Sequence, residues 1–277
     1  MMEQEIHSFG ALFSPKDIRD YKLCASAIQL PNIPDKYIVN LPKIKNQGQH
    51  QTCVAYSLSS LVEFYNLRDT LSYRNFSTDF IYGCRTDDDY LGEGMYLRDG
   101  LKVLQKYGDV FYSTLPGNTD VPTARSKVFK DFENLIKEAE PNRISAYYKI
   151  QSLDELKYSI YTSGPVSAAM RWYKNAKLDS QNIYRFNPND NYSGHAILIV
   201  GWDDQNLIVQ NSWGKYFGDS GLFYVPIDNF KEVFVELYGV TDNISNIKKP
   251  TKIIDILGPS LNLLINFILK LIDKGKK

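Results

Sequence analysis

Residues 196–210 read as a β-hairpin, and that feature constrains the fold more than any other in the chain. Two apolar runs, 196–202 (AILIVGW) and 207–210, are parted by the short polar turn 203–206. A hairpin of this kind needs antiparallel neighbours to bury its faces. Residues 144–150 alternate like a strand, and 166–172 and 221–225 read as further strands. The carboxy-terminal half is therefore expected to be mainly antiparallel sheet.

The amino-terminal half carries a different period. In CVAYSLSSLVEFYNLRDT, Val54, Leu58, Leu61 and Tyr65 recur every three or four residues, and Ala55, Val62 and Leu67 widen that face. This predicts an amphipathic helix starting at or near Cys53, with Thr52 as its cap. Further helices are expected at 77–84 with Ser77 capping, at 95–107 up to Gly108, at 127–140 up to Pro141, and at 153–162 up to Gly164-Pro165. Residues 111–126, with Pro116, Gly117 and Pro122, read as irregular. Helices followed by strands give an α+β class.

Four segments follow: an amino-terminal extension at 1–35, propeptide-like in its placement, with one short helix at 15–21; a mainly helical part at 36–145; a mainly antiparallel part at 146–240; and a linker with an apolar helix at 241–277. In that last helix, 260–273, Asn262, Asn266 and Lys270 form one narrow polar stripe. It is too short to span a bilayer and is expected to pack on the protein's own body or on a second copy.

Composition narrows the partners. Lys+Arg and Asp+Glu both number 32, so no net field draws the chain to nucleic acid. Three cysteines, Cys24, Cys53 and Cys84, make no disulfide scaffold and suit a reducing, intracellular setting. Residues 1–10 show no apolar run of the signal-peptide type. Three scattered histidines, His7, His50 and His195, have no metal-ligand spacing, and no cofactor is expected.

The chemistry concentrates on few residues. A thiol at a helix N-terminus is favoured as thiolate, which places Cys53 well for nucleophilic attack. His195 leads into the first strand of the hairpin and Asn211 follows the second, so the fold-back brings them to one end of the sheet. An imidazole base needs a partner on its second nitrogen, and Asn211 can supply it. Attack on an amide carbonyl builds an oxyanion, which needs preplaced donors. The Cys53 backbone N–H and the Gln47 side chain, on the turn six residues earlier, are the candidates.

The segment Gln47-Gly48-Gln49-His50-Gln51-Thr52-Cys53-Val54-Ala55-Tyr56-Ser57 resembles the nucleophile motif of the papain-like cysteine peptidases. Gly194-His195-Ala196-Ile197-Leu198-Ile199-Val200-Gly201-Trp202 is similar to that family's histidine strand, and Asn211-Ser212-Trp213-Gly214 to its asparagine motif. The resemblance covers about residues 34–240. It is nearest the bacterial and giant-virus branch, which carries pairs like Arg19-Asp20 and Arg98-Asp99-Gly100; these are read as ion-pair or capping residues. It implies a two-lobed fold, a helical left lobe and an antiparallel β-barrel-like right lobe, with the active-site cleft between them.

The same resemblance implies a thiol peptidase acting on peptide or protein substrates, with Cys53 as nucleophile, His195 as base and then acid, Asn211 as orienter and Gln47 as oxyanion donor. Trp213 would shield the His–Asn hydrogen bond, and Gly94, Gly164 and Pro165 would border the substrate cleft. Transpeptidation or amide hydrolysis by the same residues, and a silent peptide-binding relative, are the alternatives. Val54 stands where the family has Trp, and Thr52 where it has Ser. His50 stands where the family often has a cysteine bridged to one like Cys84, so that bridge is not expected. The acidic loop residues Asp87, Asp88, Asp89 and Glu93 either favour basic peptides or form a solvated loop.

Overall fold

The computed structural model describes residues 8–17, 33–41, 43–85 and 92–242. The expected helix at 260–273, most of the one at 15–21, Cys24, Arg19-Asp20 and Asp87, Asp88 and Asp89 lie outside the described residues. The order is β1 (Ala11–Leu12), β2 (Tyr37–Ile38), α1 (Cys53–Thr70), α2 (Thr78–Gly83), β3 (Met95–Tyr96), α3 (Leu97–Lys106), α4 (Val121–Lys130), α5 (Phe132–Ala139) and β4 (Ile144–Lys149). There follow α6 (Leu153–Thr162), β5 (Val166–Tyr173), β6 (Lys177–Leu178), β7 (Tyr184–Arg185), β8 (Tyr192–Trp202), β9 (Asn206–Gln210), β10 (Leu222–Pro226), α7 (Phe230–Val233) and β11 (Phe234–Asp242).

The hairpin forms as read, β8 against β9, and stands in a sheet of order β10-β9-β8-β5-β11-β4, with β2 added to β8. Every pair in it is antiparallel. The end strands β10 and β4 do not pair, so the sheet is open and is not a closed barrel.

Helix α1 lies against this sheet, and its environment differs from the one its pattern suggests. Every residue from Cys53 to Tyr65 is buried, on all faces, so α1 is a central helix rather than a surface one. Burying Val54, Leu58 and Leu61 contributes about 1.5–3 kcal/mol each. Its polar side chains must then find protein partners. Ser57 shares a 2.8 Å hydrogen bond with Ser167 of β5 and donates to the Ile197 carbonyl at 2.9 Å. Glu63 accepts from Lys45 at 2.7 Å, from the Phe76 N–H at 3.0 Å and from the Tyr73 hydroxyl at 3.1 Å.

Helix ends follow local chemistry, with exceptions. Ser77 caps α2 through the Phe80 N–H, as expected. The single helix expected at 127–140 is instead α4 and α5, broken at Asp131 (φ −139). Asp120 caps α4 through the Thr123 N–H at 2.9 Å, and Pro122 sits in the first turn, where no N–H is needed. Among the described residues, no helix is long and apolar enough to cross a membrane.

Candidate active site

Cys53 opens α1, completely buried. The cap expected from Thr52 is not made. Its backbone (φ −105, ψ 15) lies outside the extended region a cap residue uses, so Oγ1 cannot turn onto the first N–H groups. The sulfur faces backbone N–H groups of Ala196, Gly10, Val54 and Ala11. Burial nonetheless dominates and pushes the thiol up.

Ala196 is the neighbour of His195 on β8, which brings the imidazole to the same end of α1. His195 is also completely buried, and its Nε2 lies 2.8 Å from Asn211 Oδ1. The Ser212 N–H donates to that same Oδ1 at 2.8 Å, which identifies it as the oxygen. An amide oxygen only accepts, so Nε2 carries the hydrogen and Nδ1 is the basic position. Trp213 stacks on the imidazole, ring centroids 4.6 Å apart and 28° from parallel. Trp172 of β5 meets the imidazole edge-on at 5.7 Å and Trp213 at 4.7 Å. These rings pack around the imidazole, and His195 and Asn211 are both buried.

Gln47 is buried beside this group. Its N–H donates to the Ser212 carbonyl at 2.8 Å, and the Ser212 hydroxyl donates to its Oε1 at 2.6 Å. Its Nε2 donates to the carbonyls of His50 at 3.0 Å and Ser8 at 2.9 Å. Ser212 thus fixes Gln47 through Oε1 and leaves its two amide hydrogens to the carbonyls of His50 and Ser8.

The Ser8 contact belongs to a longer feature. Residues 8–15 run through the space over Cys53 as a strap. The Phe9 ring packs edge-on against His195 and Trp213, at 5.8 Å from each. The Gly10 carbonyl accepts from the Met95 N–H at 2.8 Å, and β1 pairs in parallel with β3. The Ser14 N–H donates to the Glu236 carboxylate, and Arg98 donates to the Pro15 carbonyl at 2.7 Å. The fit is close: a Cβ on Gly10 would fall 2.0 Å from the Gln51 oxygen, and one on Gly194 would fall 1.9 Å from the Ala11 oxygen.

The sequence pattern of the papain family cysteine proteases matches residues 34–241, three quarters of the chain. The chain belongs to that family. The gut-specific cysteine proteinase of Caenorhabditis elegans is 33% identical over 86 residues, which is 30% of this chain and 26% of that one. A cysteine protease of Blomia tropicalis is 27% identical over 201 residues, 67% of this chain and 57% of that one. The match therefore spans less than two thirds of each relative's length. Xylellain, a cysteine protease from Xylella fastidiosa, superposes with a TM-score of 0.74 at 24% identity, covering 88% of this chain and 99% of that one. ProCathepsin B S9 from Trypanosoma congolense superposes at 0.67 and 16% identity, covering 85% and 87%.

Within this papain-family fold, the residues read from motif spacing separate into two groups. Gln47, Cys53, His195, Asn211 and Trp213 come together. Gly94 lies at the strap: a Cβ there would fall 2.8 Å from the Gly10 carbonyl oxygen. Gly164 and Pro165 do not join them. Gly164 packs on Phe64, three helical turns along α1 from Cys53, and β5 leaves it at Val166, opposite Ile199 rather than His195. The Arg98-Asp99 pair divides its work: Arg98 holds the strap, and Asp99 accepts from Lys102 at 2.8 Å. Sequence reasoning gave no separate role to Ser212, and missed Trp172, Phe9 and Glu236. Ser212 stood inside a quoted motif; the other three carry no local signal.

Proposed function

We propose that this chain is a thiol peptidase whose Cys53, His195, Asn211 and Gln47 act as one unit, and that residues 8–15 hold it in a latent state. The observation that carries the reading is the His195 Nε2–Asn211 Oδ1 bond of 2.8 Å, beside a sulfur that faces the Ala196 N–H.

In the open enzyme, Nδ1 of His195 takes the Cys53 proton, and the sulfur attacks the substrate carbonyl carbon. The oxyanion that forms is met by the Cys53 N–H and Gln47 Nε2. The imidazolium returns its proton to the leaving amine as the C–N bond breaks. Water, deprotonated by the same nitrogen, then cleaves the thioester and frees the sulfur. Asn211 keeps the ring in the one tautomer that allows these transfers.

In the closed state the Ser8 carbonyl takes one Gln47 amide hydrogen, the one that the oxyanion would otherwise receive, and burial keeps the thiol protonated. The domain reading of 1–35 as a propeptide-like extension fits this arrangement.

The test is product analysis after strap displacement. Peptide substrate should yield free carboxylate, and Cys53→Ala should abolish the reaction. Ligation to an added amine as the main product would favour transpeptidation instead.

A further inference from the structure

Phe129 of α4 is 54% exposed, the only phenylalanine so placed among the described residues. A lone exposed apolar side chain needs no explanation, but a contiguous row of them marks a contact surface. Phe129 begins such a row. The ring of Phe132, at the start of α5, stands 5.3 Å from it, and Tyr107 at the end of α3 meets Phe132 edge-on at 5.5 Å. Ile136 follows Phe132 by one helical turn and shares its face of α5. Phe132, Tyr107 and Ile136 rest half-buried on the core, so the row is anchored from beneath and open above.

The place where β11 ends bears on what covers it. Asp242 stands opposite Ile144 of β4. The next residue of β4, Ser145, accepts at its carbonyl from Gln105 Nε2 of α3 at 3.2 Å. Gln105 lies two residues before Tyr107, so β11 delivers the chain beside one end of the row. Beyond it, residues 243–259 precede the apolar stretch 260–273. A linker of that length reaches up to about 56 Å when extended, enough to bring 260–273 over any part of the row. The stretch itself places Leu261, Leu264, Ile265, Ile268, Leu271 and Ile272 on one helical arc, opposite Asn262, Asn266 and Lys270.

We propose that residues 260–273 form a helix that docks its aliphatic arc on Phe129, Phe132, Ile136 and Tyr107 of the same chain. Each side supplies what the other lacks. The row is apolar and uncovered, and an arc that wide leaves only a narrow polar stripe for water. The same chain is favoured over a second copy because the exit point lies next to the row. A short tether holds the segment at an effective concentration near millimolar, above the concentration at which separate copies meet in dilute solution. Helix on helix then buries the row, with Asn262, Asn266 and Lys270 facing outward.

The test is hydrogen exchange on the full chain, read peptide by peptide, with molecular mass followed by light scattering. Amides of 260–273 should exchange at least about tenfold more slowly than an unstructured chain does, in a monomer and independently of protein concentration. Phe129→Asp should remove most of that protection while β8 and β9 keep theirs. Leu264→Asp with Ile268→Asp, which leaves the described fold untouched, should speed exchange across 128–137 in return; this variant decides the matter where Phe129→Asp fails to fold. Fast exchange of 260–273 in the wild type would overturn the proposal, as would protection that survives all three substitutions. Protection that rises with concentration alongside a dimer mass would put a second copy on the row instead. Protection that appears only with anionic lipid vesicles would assign the arc to a membrane surface and equally overturn it.

Discussion

The Gln47 side-chain amide donates to the Ser8 carbonyl at 2.9 Å, so the donor proposed for the oxyanion is already engaged by the chain's own backbone. Gly10 sets how closely the strap can approach, since any Cβ there would strike the Gln51 carbonyl. Gly10→Ala should therefore unseat the strap. Overpacking of this kind costs about 1–3 kcal/mol, so Cys53 alkylation should speed up by about 5- to 150-fold. Mapping iodoacetamide adducts over time checks this; an unchanged rate would show that the strap does not protect the sulfur.

Gln47 and Ser212 should be separable by kinetics. Gln47→Ala should lower kcat by about 10²–10³ with little change in KM, as for loss of one oxyanion donor. Ser212→Ala leaves the donor present but no longer held through Oε1, so its loss of kcat should be smaller. Steady-state kinetics on opened enzyme would decide. A larger effect from Ser212→Ala would place the oxyanion donor elsewhere.

Asn211→Ala should free the imidazole to rotate and take the wrong tautomer. Up to about 10²–10⁴ in kcat is at stake, the range general acid–base catalysis contributes. It also deprives the Ser212 N–H of its acceptor, so melting temperature should fall too. Trp213→Phe should keep most of the stacking, and Trp213→Ala should admit water and lose more activity. Equal activity in the two Trp213 variants would argue against shielding.

Asp109 supplies a pH prediction. It is wholly buried, Oδ1 accepts the Val110 N–H, and Oδ2 has no partner. Burial pushes its carboxyl well above the usual range, against the pull of Lys45. The folded chain therefore holds this proton more tightly than the unfolded chain does. That advantage is complete below the unfolded value of about 3.9 and is lost as pH rises through the higher folded-state value. Glu63, raised by burial against the pull of Lys45, acts with the same sign. Asp109→Asn should stabilise the protein at pH 8 relative to wild type, by about 1–3 kcal/mol. It should flatten the fall in stability between pH 4 and pH 8. Denaturant unfolding across that range checks both; a steeper dependence in the variant would refute the assignment.

What could be read from the sequence divides by range. The α1 start and the 196–210 hairpin rest on local period and are found where expected, and the 2.8 Å His195–Asn211 contact follows from the hairpin's fold-back. The break at Asp131 was missed because Asp120 and Pro122 are a start signal inside what reads as a loop. β11 was missed because a glutamate interrupts FVELYGVT, and the Ser14 N–H that meets this buried acid lies far away in the sequence. The strap, SFGALFSP, has no periodicity, and the partner of Ser14 stands 222 residues away. No local rule reaches that far.

The clasp between Ser14 and Glu236 also sets an order in time. The strap leaves the ribosome first, while the carboxylate that holds it comes after both His195 and Asn211. A nascent chain thus completes its histidine–asparagine pair about 25 residues before Glu236 exists, a lag of about one to five seconds at ordinary translation speeds. During that interval the strap rests on Gln47, Met95, Arg98 and the aromatic cluster, without the carboxylate that later clasps Ser14.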